Sequence, residues 1–298
     1  MNSHTYPTAT PPVATPTRPN APLPGGACDS HIHMVAGPGD FPLWEGRVED
    51  PAGGNFDDWI ARLRHHMDVL GLARVVVVHS ILYGADNAVT LAAVRVLGPD
   101  VARGIALVPD GAGEGVLDNL VAAGVMGVRL NYVHGGILSW DGVKALAPAL
   151  AARGMHAQIL INSHRHMLEI AEDIRALPVP VVIDHIGWPD LSLGVTEPGF
   201  QMLAQLLAEG HVWVKLSAPY RLCDTPYGAA DAAIRELVAA NPQQCLWASD
   251  WPHLMLADAT LPDAGVLLNR FLDLVPNAGT RRLIFTENPA RLYGFGQP

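Results

Sequence analysis

The stretch CDSHIHM, residues 28–34, places His31 and His33 two positions apart beside Asp29. On a β-strand, residues i and i+2 point the same way, so the two imidazoles project side by side. A core would have difficulty satisfying both, so the pair either binds something or reacts with something. Further along, His185 in VVIDHIGWPD, Lys215 in VWVKLS and Asp250 in WASDWPH each close a short apolar run. A carboxylate among imidazoles suits general acid–base hydrolysis, and the same groups are adequate zinc ligands.

Residues so far apart in the chain need a frame that gathers them. Apolar, β-branched runs occur at residues 27–33, 73–80, 103–108 and 127–132, and again at 156–161, 180–185, 212–217 and 245–250. Their centres are continuously apolar, as expected for parallel strands covered on both faces. Segments with helical spacing lie between them, such as FDDWIARLRHHMDVLG, with Asp near its start and Gly at its end. Eight strands, each followed by a helix, predict an α/β fold: a single (β/α)8 TIM barrel over residues 25–298. The rival, a doubly wound open sheet that binds a nucleotide, needs a Gly-rich turn after the first strand. HIHMVAGPGDFP has glycines but neither phosphate-binding spacing. Residues 1–24, rich in Pro and Thr, are expected to form an extended, mobile leader; the alternative is an arm around a neighbouring subunit in a homo-oligomer.

In such a barrel, chemistry sits at the C-terminal ends of the strands. Those ends carry His31 and His33, His79 and Ser80, Arg129 and Asn131, His185, Lys215 and Ser217, and Asp250. Each has a plainer use. A lone histidine such as His79 is read as a pocket wall, and Lys215 as the partner of a buried carboxylate. His65, His66, His164 and His166 lie in helical segments and are expected to be solvated. The formal net charge of −10 argues against nucleic acid or an anionic membrane surface as a general partner. Cys28, Cys223 and Cys245 lack metal or disulfide spacing and fit a reducing cytoplasm. No apolar run approaches the roughly 20 residues of a membrane helix, so a soluble cytoplasmic protein is expected.

Taken together, DSHIHM, VVIDHIGWPD, KLSAPYRL, WASDWPH and ENPARLYGF resemble the amidohydrolase superfamily, in its 2-pyrone-4,6-dicarboxylate lactonase-like branch. The resemblance runs from about residue 24 to the end. It implies a lactonase of aromatic- or sugar-acid breakdown. Asp250 would serve as the base that activates water and then returns its proton. His31, His33 and His185 would surround the carbonyl or water, and Arg129 and Arg221 would hold substrate carboxylates. His79, Trp188, His253 and Asn131 are carried over as further substrate-binding positions.

The departures shape the expected substrate. The branch places arginines where this chain has Trp188 and near Gly135, and a tyrosine where it has Leu160. A substrate with two carboxylates would lose partners, so a less acidic or more apolar lactone, carrying one carboxylate, is expected. The strand-four run lacks the lysine of two-metal members, and His156 lies at the wrong end of the strand-five run. Metal-free chemistry is favoured, with one zinc ion held by His31, His33, His185 and Asp250 as the alternative. A lactone isomerase and a metal-dependent decarboxylase are the competing enzyme readings, and a barrel that only binds small carboxylates is the non-catalytic one.

Overall fold

In the computed structural model, which describes residues 6–257 and 259–296, eight parallel strands form one sheet in sequence order. They are β1 (Cys28–Ile32), β2 (Arg74–Val78), β3 (Ala102–Ala106), β4 (Val125–Asn131), β5 (His156–Leu160), β6 (Val181–Ile183), β7 (Val212–Leu216) and β8 (Cys245–Trp247). A helix follows each strand: α1 (Phe56–Leu70), α2 (Ala88–Leu97), α3 (Glu114–Ala122), α4 (Trp140–Ala151), α5 (Ser163–Ala176), α6 (Pro198–Glu209), α7 (Asp231–Ala240) and α8 (Ala264–Leu274). This is the expected TIM barrel. The strands read as continuous apolar runs because both faces are covered: Val75, Val76, Val77 and Val78 of β2 are all fully buried.

Local signals set the helix ends. Asn55 and Asp58 form a reciprocal capping box at the start of α1, and Gly71 ends it at φ 73°, a left-handed position that costs glycine no Cβ clash. The ring of strands is completed where the chain beyond β8 meets β1. Asp250 N–H donates to the His31 carbonyl at 3.0 Å, and His33 N–H donates to the Trp251 carbonyl at 2.7 Å. The hydrogen bonds that join the last strand to the first therefore interleave the residues expected to react.

The expectation of a mobile leader is corrected for residues 6–24; residues 1–5 lie outside the described residues. The segment is extended but lies against its own barrel. Thr8 pairs with Asp50, and Ala9 is buried. The Thr17 amide and hydroxyl both donate to Asp263, the carboxylate that also caps α8, and the Asn20 amide donates to Asn269. Proline and threonine cannot build a core, but they can cover one. No helix among the described residues is long and apolar enough to cross a membrane.

Candidate active site

The interleaved backbone at the end of β8 aims the Asp250 side chain between three imidazoles. Asp250 adopts φ 63°, a conformation that costs a non-glycine residue about 1–2 kcal/mol and that its surroundings must impose. Its Oδ1 lies 3.5 Å from His33 Nε2, 3.7 Å from His31 Nε2 and 3.9 Å from His185 Nε2. Both Asp250 Oδ1 and His31 Nε2 are buried without a hydrogen-bond partner. The other oxygen is fully engaged: Oδ2 accepts from Tyr220 Oη at 2.6 Å and from Arg221 Nε and Nη2 at 3.0 and 2.9 Å. One carboxylate thus has a held oxygen and a free one.

Each imidazole is fixed from behind. His33 Nδ1 lies 2.8 Å from the Val78 carbonyl, which can only accept, so Nδ1 carries a hydrogen and Nε2 is the atom turned towards Asp250. His31 Nδ1 faces Asp184 Oδ1 at 3.2 Å, with Lys215 Nζ 3.4 Å away. His185 Nδ1 meets the Ser217 hydroxyl at 2.8 Å, a group that can donate and so leave Nε2–H towards the cavity. His185 itself opens a run of left-handed residues, with φ 53°, 62°, 74° and 40° at His185, Ile186, Gly187 and Trp188. That turn brings His185 and Trp188 to the same cavity.

Burial alone would push the Asp250 carboxyl up, but the Arg221 guanidinium and the neighbouring imidazoles hold it well below the usual range. Burial is also the main effect on the rings: it drives His31 well below an ordinary histidine and His185 down to about 4. Lys215, expected to pair with a buried carboxylate, does so: its Nζ lies 3.4 Å from Asp184 Oδ1 and donates to Gln158 Oε1 at 2.7 Å. Burial lowers this amine to about 8 against the opposing pull of Asp184.

Imidazole lone pairs and a carboxylate oxygen that share one hollow call for a hydrogen-rich or cationic guest. Ligand atoms of His31, His185 and Asp250 lie within 4.8 Å of one another. Tetrahedral zinc with bonds of about 2.0–2.1 Å needs ligand separations of roughly 3.4 Å, so the donor set would hold one divalent ion only after drawing inwards, with Ser217 then accepting from His185 Nδ1–H.

The cavity above encloses about 130 Å³. Leu107, Leu138 and Leu160 give it an apolar wall; Arg129, Asn131 and Trp188 also line it, and His134 joins them at the rim. Arg129 Nη1 donates to the His79 carbonyl at 2.7 Å, and the rest of its guanidinium has no other partner among the described residues. Four expectations change. Arg221 also lines the cavity, but it donates to Asp250 and to the Leu254 and Met255 carbonyls, so its fork is taken up by that carboxylate and two backbone oxygens. The His79 ring turns away to Thr90 and the Gly84 carbonyl, and only its backbone serves the site. His253 is buried outside this cavity and faces a second one. His66 is buried rather than solvated, packed on Trp251 with Nε2 3.8 Å from Asp29. Sequence reasoning missed Tyr220, Asp184, Gln158 and His134; Tyr220 stood in view beside Arg221 in KLSAPYRL.

Comparison with known proteins identifies relatives of the whole chain. The chain is 35% identical over 294 residues to a 2-pyrone-4,6-dicarboxylate hydrolase of Comamonas testosteroni, covering 94% of each chain. It is 33% identical to a 4-sulfomuconolactone hydrolase of Rhizobium radiobacter, over 95% of this chain and 96% of that one. A solved structure of a probable 2-pyrone-4,6-dicarboxylic acid hydrolase from Acinetobacter baumannii, with citric acid bound, superposes with a TM-score of 0.78 at 25% identity, covering 91% of this chain and all of that one. The amidohydrolase family pattern matches residues 28–295, and the chain belongs to that family.

Proposed function

We propose that this enzyme hydrolyses a lactone, with Asp250 as the single shuttling base. The observation that carries the reading is the asymmetry of Asp250: Oδ2 is held by Tyr220 and Arg221, while Oδ1 is buried, unpartnered and surrounded by imidazoles. A water in that hollow would give a proton to Oδ1 as its oxygen bonds to the acyl carbon. His185, with Ser217 donating to Nδ1, presents Nε2–H to the carbonyl oxygen and stabilises the charge that develops there. The ring C–O bond then breaks, and Asp250 returns the proton to the departing alkoxide. In a lactone that alkoxide stays tethered, so one carboxylate serves both steps. The relatives named above, a pyrone dicarboxylate hydrolase and a sulfomuconolactone hydrolase, act on compounds of this kind and support the reading.

Charge balance favours the metal-free form of this chemistry, because Asp250 already has Arg221 as its counter-ion. If zinc is resident, His31, His33, His185 and Asp250 would hold it, and it would polarise the carbonyl and acidify water. Stoichiometric zinc by elemental analysis, with activity lost on chelation, would overturn the metal-free form. With Arg221 engaged, Arg129 is the guanidinium left to meet a substrate carboxylate, and the apolar wall suits a less acidic lactone than a dicarboxylate. A clear preference for the pyrone diacid over mono-acid and neutral lactones would refute that choice. The reaction itself is tested by alkali uptake at constant pH. Hydrolysis generates a new acid and consumes base, whereas the isomerase reading predicts none.

A further inference from the structure

A second hollow, of about 360 Å³, lies beside the reaction cavity. The leader covers it with residues 7–10; Glu49, His253 and Met255 line the facing side. Met255 also lines the reaction cavity and is the one residue common to the two linings. Methionine has three rotatable bonds and no branch, so the side chain at this shared position can yield to a guest.

The chemistry of the second hollow is polar and incomplete. His253 is 2% exposed, yet its Nδ1 has no hydrogen-bond partner. A buried donor or acceptor left unsatisfied is costly, so native structures rarely leave one without a partner. Glu49 is half-buried and accepts from the Met255 amide through Oε1 at 2.7 Å, which leaves its second oxygen for another donor. Thr8 and Thr10 line it from the leader, and both are exposed. An imidazole and a carboxylate oxygen, with threonines among the lining, are complementary to hydroxyl groups, which donate and accept at once.

We propose that this hollow is a second subsite, which takes a hydroxylated arm of the substrate passing Met255 while the lactone ring occupies the reaction cavity. The subsite rests on the lactonase reading for turnover, but binding tests it separately. Three lactones with the same ring and carboxylate are compared, bearing a dihydroxyethyl, an ethyl or an aminoethyl arm. Their ring-opened acids are titrated by calorimetry in parallel. The dihydroxyethyl lactone should exceed the ethyl one in kcat/KM by roughly 10- to 100-fold, the worth of one or two hydrogen bonds that include a carboxylate. Its acid should bind tighter by a similar factor. Glu49→Gln keeps an acceptor for the Met255 amide and should shrink that ratio about tenfold. Met255→Trp should abolish it by filling the passage. If the two arms perform equally in turnover and in binding, or the aminoethyl arm is preferred, the subsite is overturned and the lactonase reading stands. If the dihydroxyethyl acid binds best while no lactone consumes alkali, the subsite stands and the lactonase reading falls. The wild-type series alone decides if either variant fails to fold.

Discussion

Asp184 and Asp250 approach the His31 ring from opposite sides, Asp184 at Nδ1 and Asp250 towards Nε2. Both are buried. Asp184 has no oxygen to spare: Oδ1 meets His31 and Lys215, and Oδ2 accepts from Gln158 Nε2 at 2.9 Å. Asp250 has one oxygen tied down by Tyr220 and Arg221 and one left open. Equal burial therefore does not mean equal use. A carboxylate whose hydrogen bonds are complete holds a ring in place, and one that is half complete can accept a proton.

The contrast can be broken by substitution. Asp250→Asn should lower kcat about 10²- to 10⁴-fold while ligand affinity and the unfolding midpoint stay near wild type, since an amide oxygen can still accept from Tyr220 and Arg221. Loss of stability without loss of turnover would reverse the two roles. Asp184→Asn should do the opposite, leaving Lys215 buried without a counter-charge at a cost of about 3–5 kcal/mol in urea denaturation. Adding Lys215→Met should recover most of that loss, because removing both partners leaves no orphan charge.

Acid titration of stability sharpens the comparison next. Burial holds His79 and His156 at about 3, below the ordinary histidine value of about 6.5 in the unfolded chain. The unfolded state therefore binds more protons, and stability that is complete above about pH 6.5 should fall as pH drops towards 3. Asp184 is held well below that window by Lys215 and His31, which outweigh its burial, so its pair should survive the decline. Thermal midpoints between pH 7 and 4 should fall for wild type. They should fall less when His79 is replaced by Gln, which titrates nowhere in that range. The smallest effect should come from Tyr220→Phe. Removing one charge-assisted donor from Oδ2 should cost about tenfold in kcat/KM, and almost nothing further in the Asp250→Asn background if Tyr220 acts through Asp250.

Much of this was legible in the sequence because parallel strands buried on both faces must be continuously apolar, and eight such runs stand out. The residues at their C-terminal ends were legible for the same reason: a charge or an imidazole closing an apolar run is conspicuous. What could not be read was direction. Asp250 and the run from His185 to Trp188 enter left-handed backbone mostly without glycine, so no residue type announced the turn that aims them. Arg221 looked like a substrate clamp until the fold laid Asp250 against it, and His79 looked like a wall until its ring proved to be facing Thr90. Gln158 was hidden as an ordinary polar residue in β5; only its neighbours β6 and β7 bring Asp184 and Lys215 to it. The leader was misjudged because composition reports whether a segment can form a core, not whether a core will accept it as a cover.

The amide of Asp250 finds its acceptor on His31, and that of His33 finds its acceptor on Trp251, so one pair of bonds both zips the cylinder and sets the proposed base beside its imidazoles. A refolding chain that has assembled seven staves has neither. Regain of turnover should thus coincide with the final locking event rather than with the earlier gain of helical signal, which makes the enzyme its own reporter of complete circularisation.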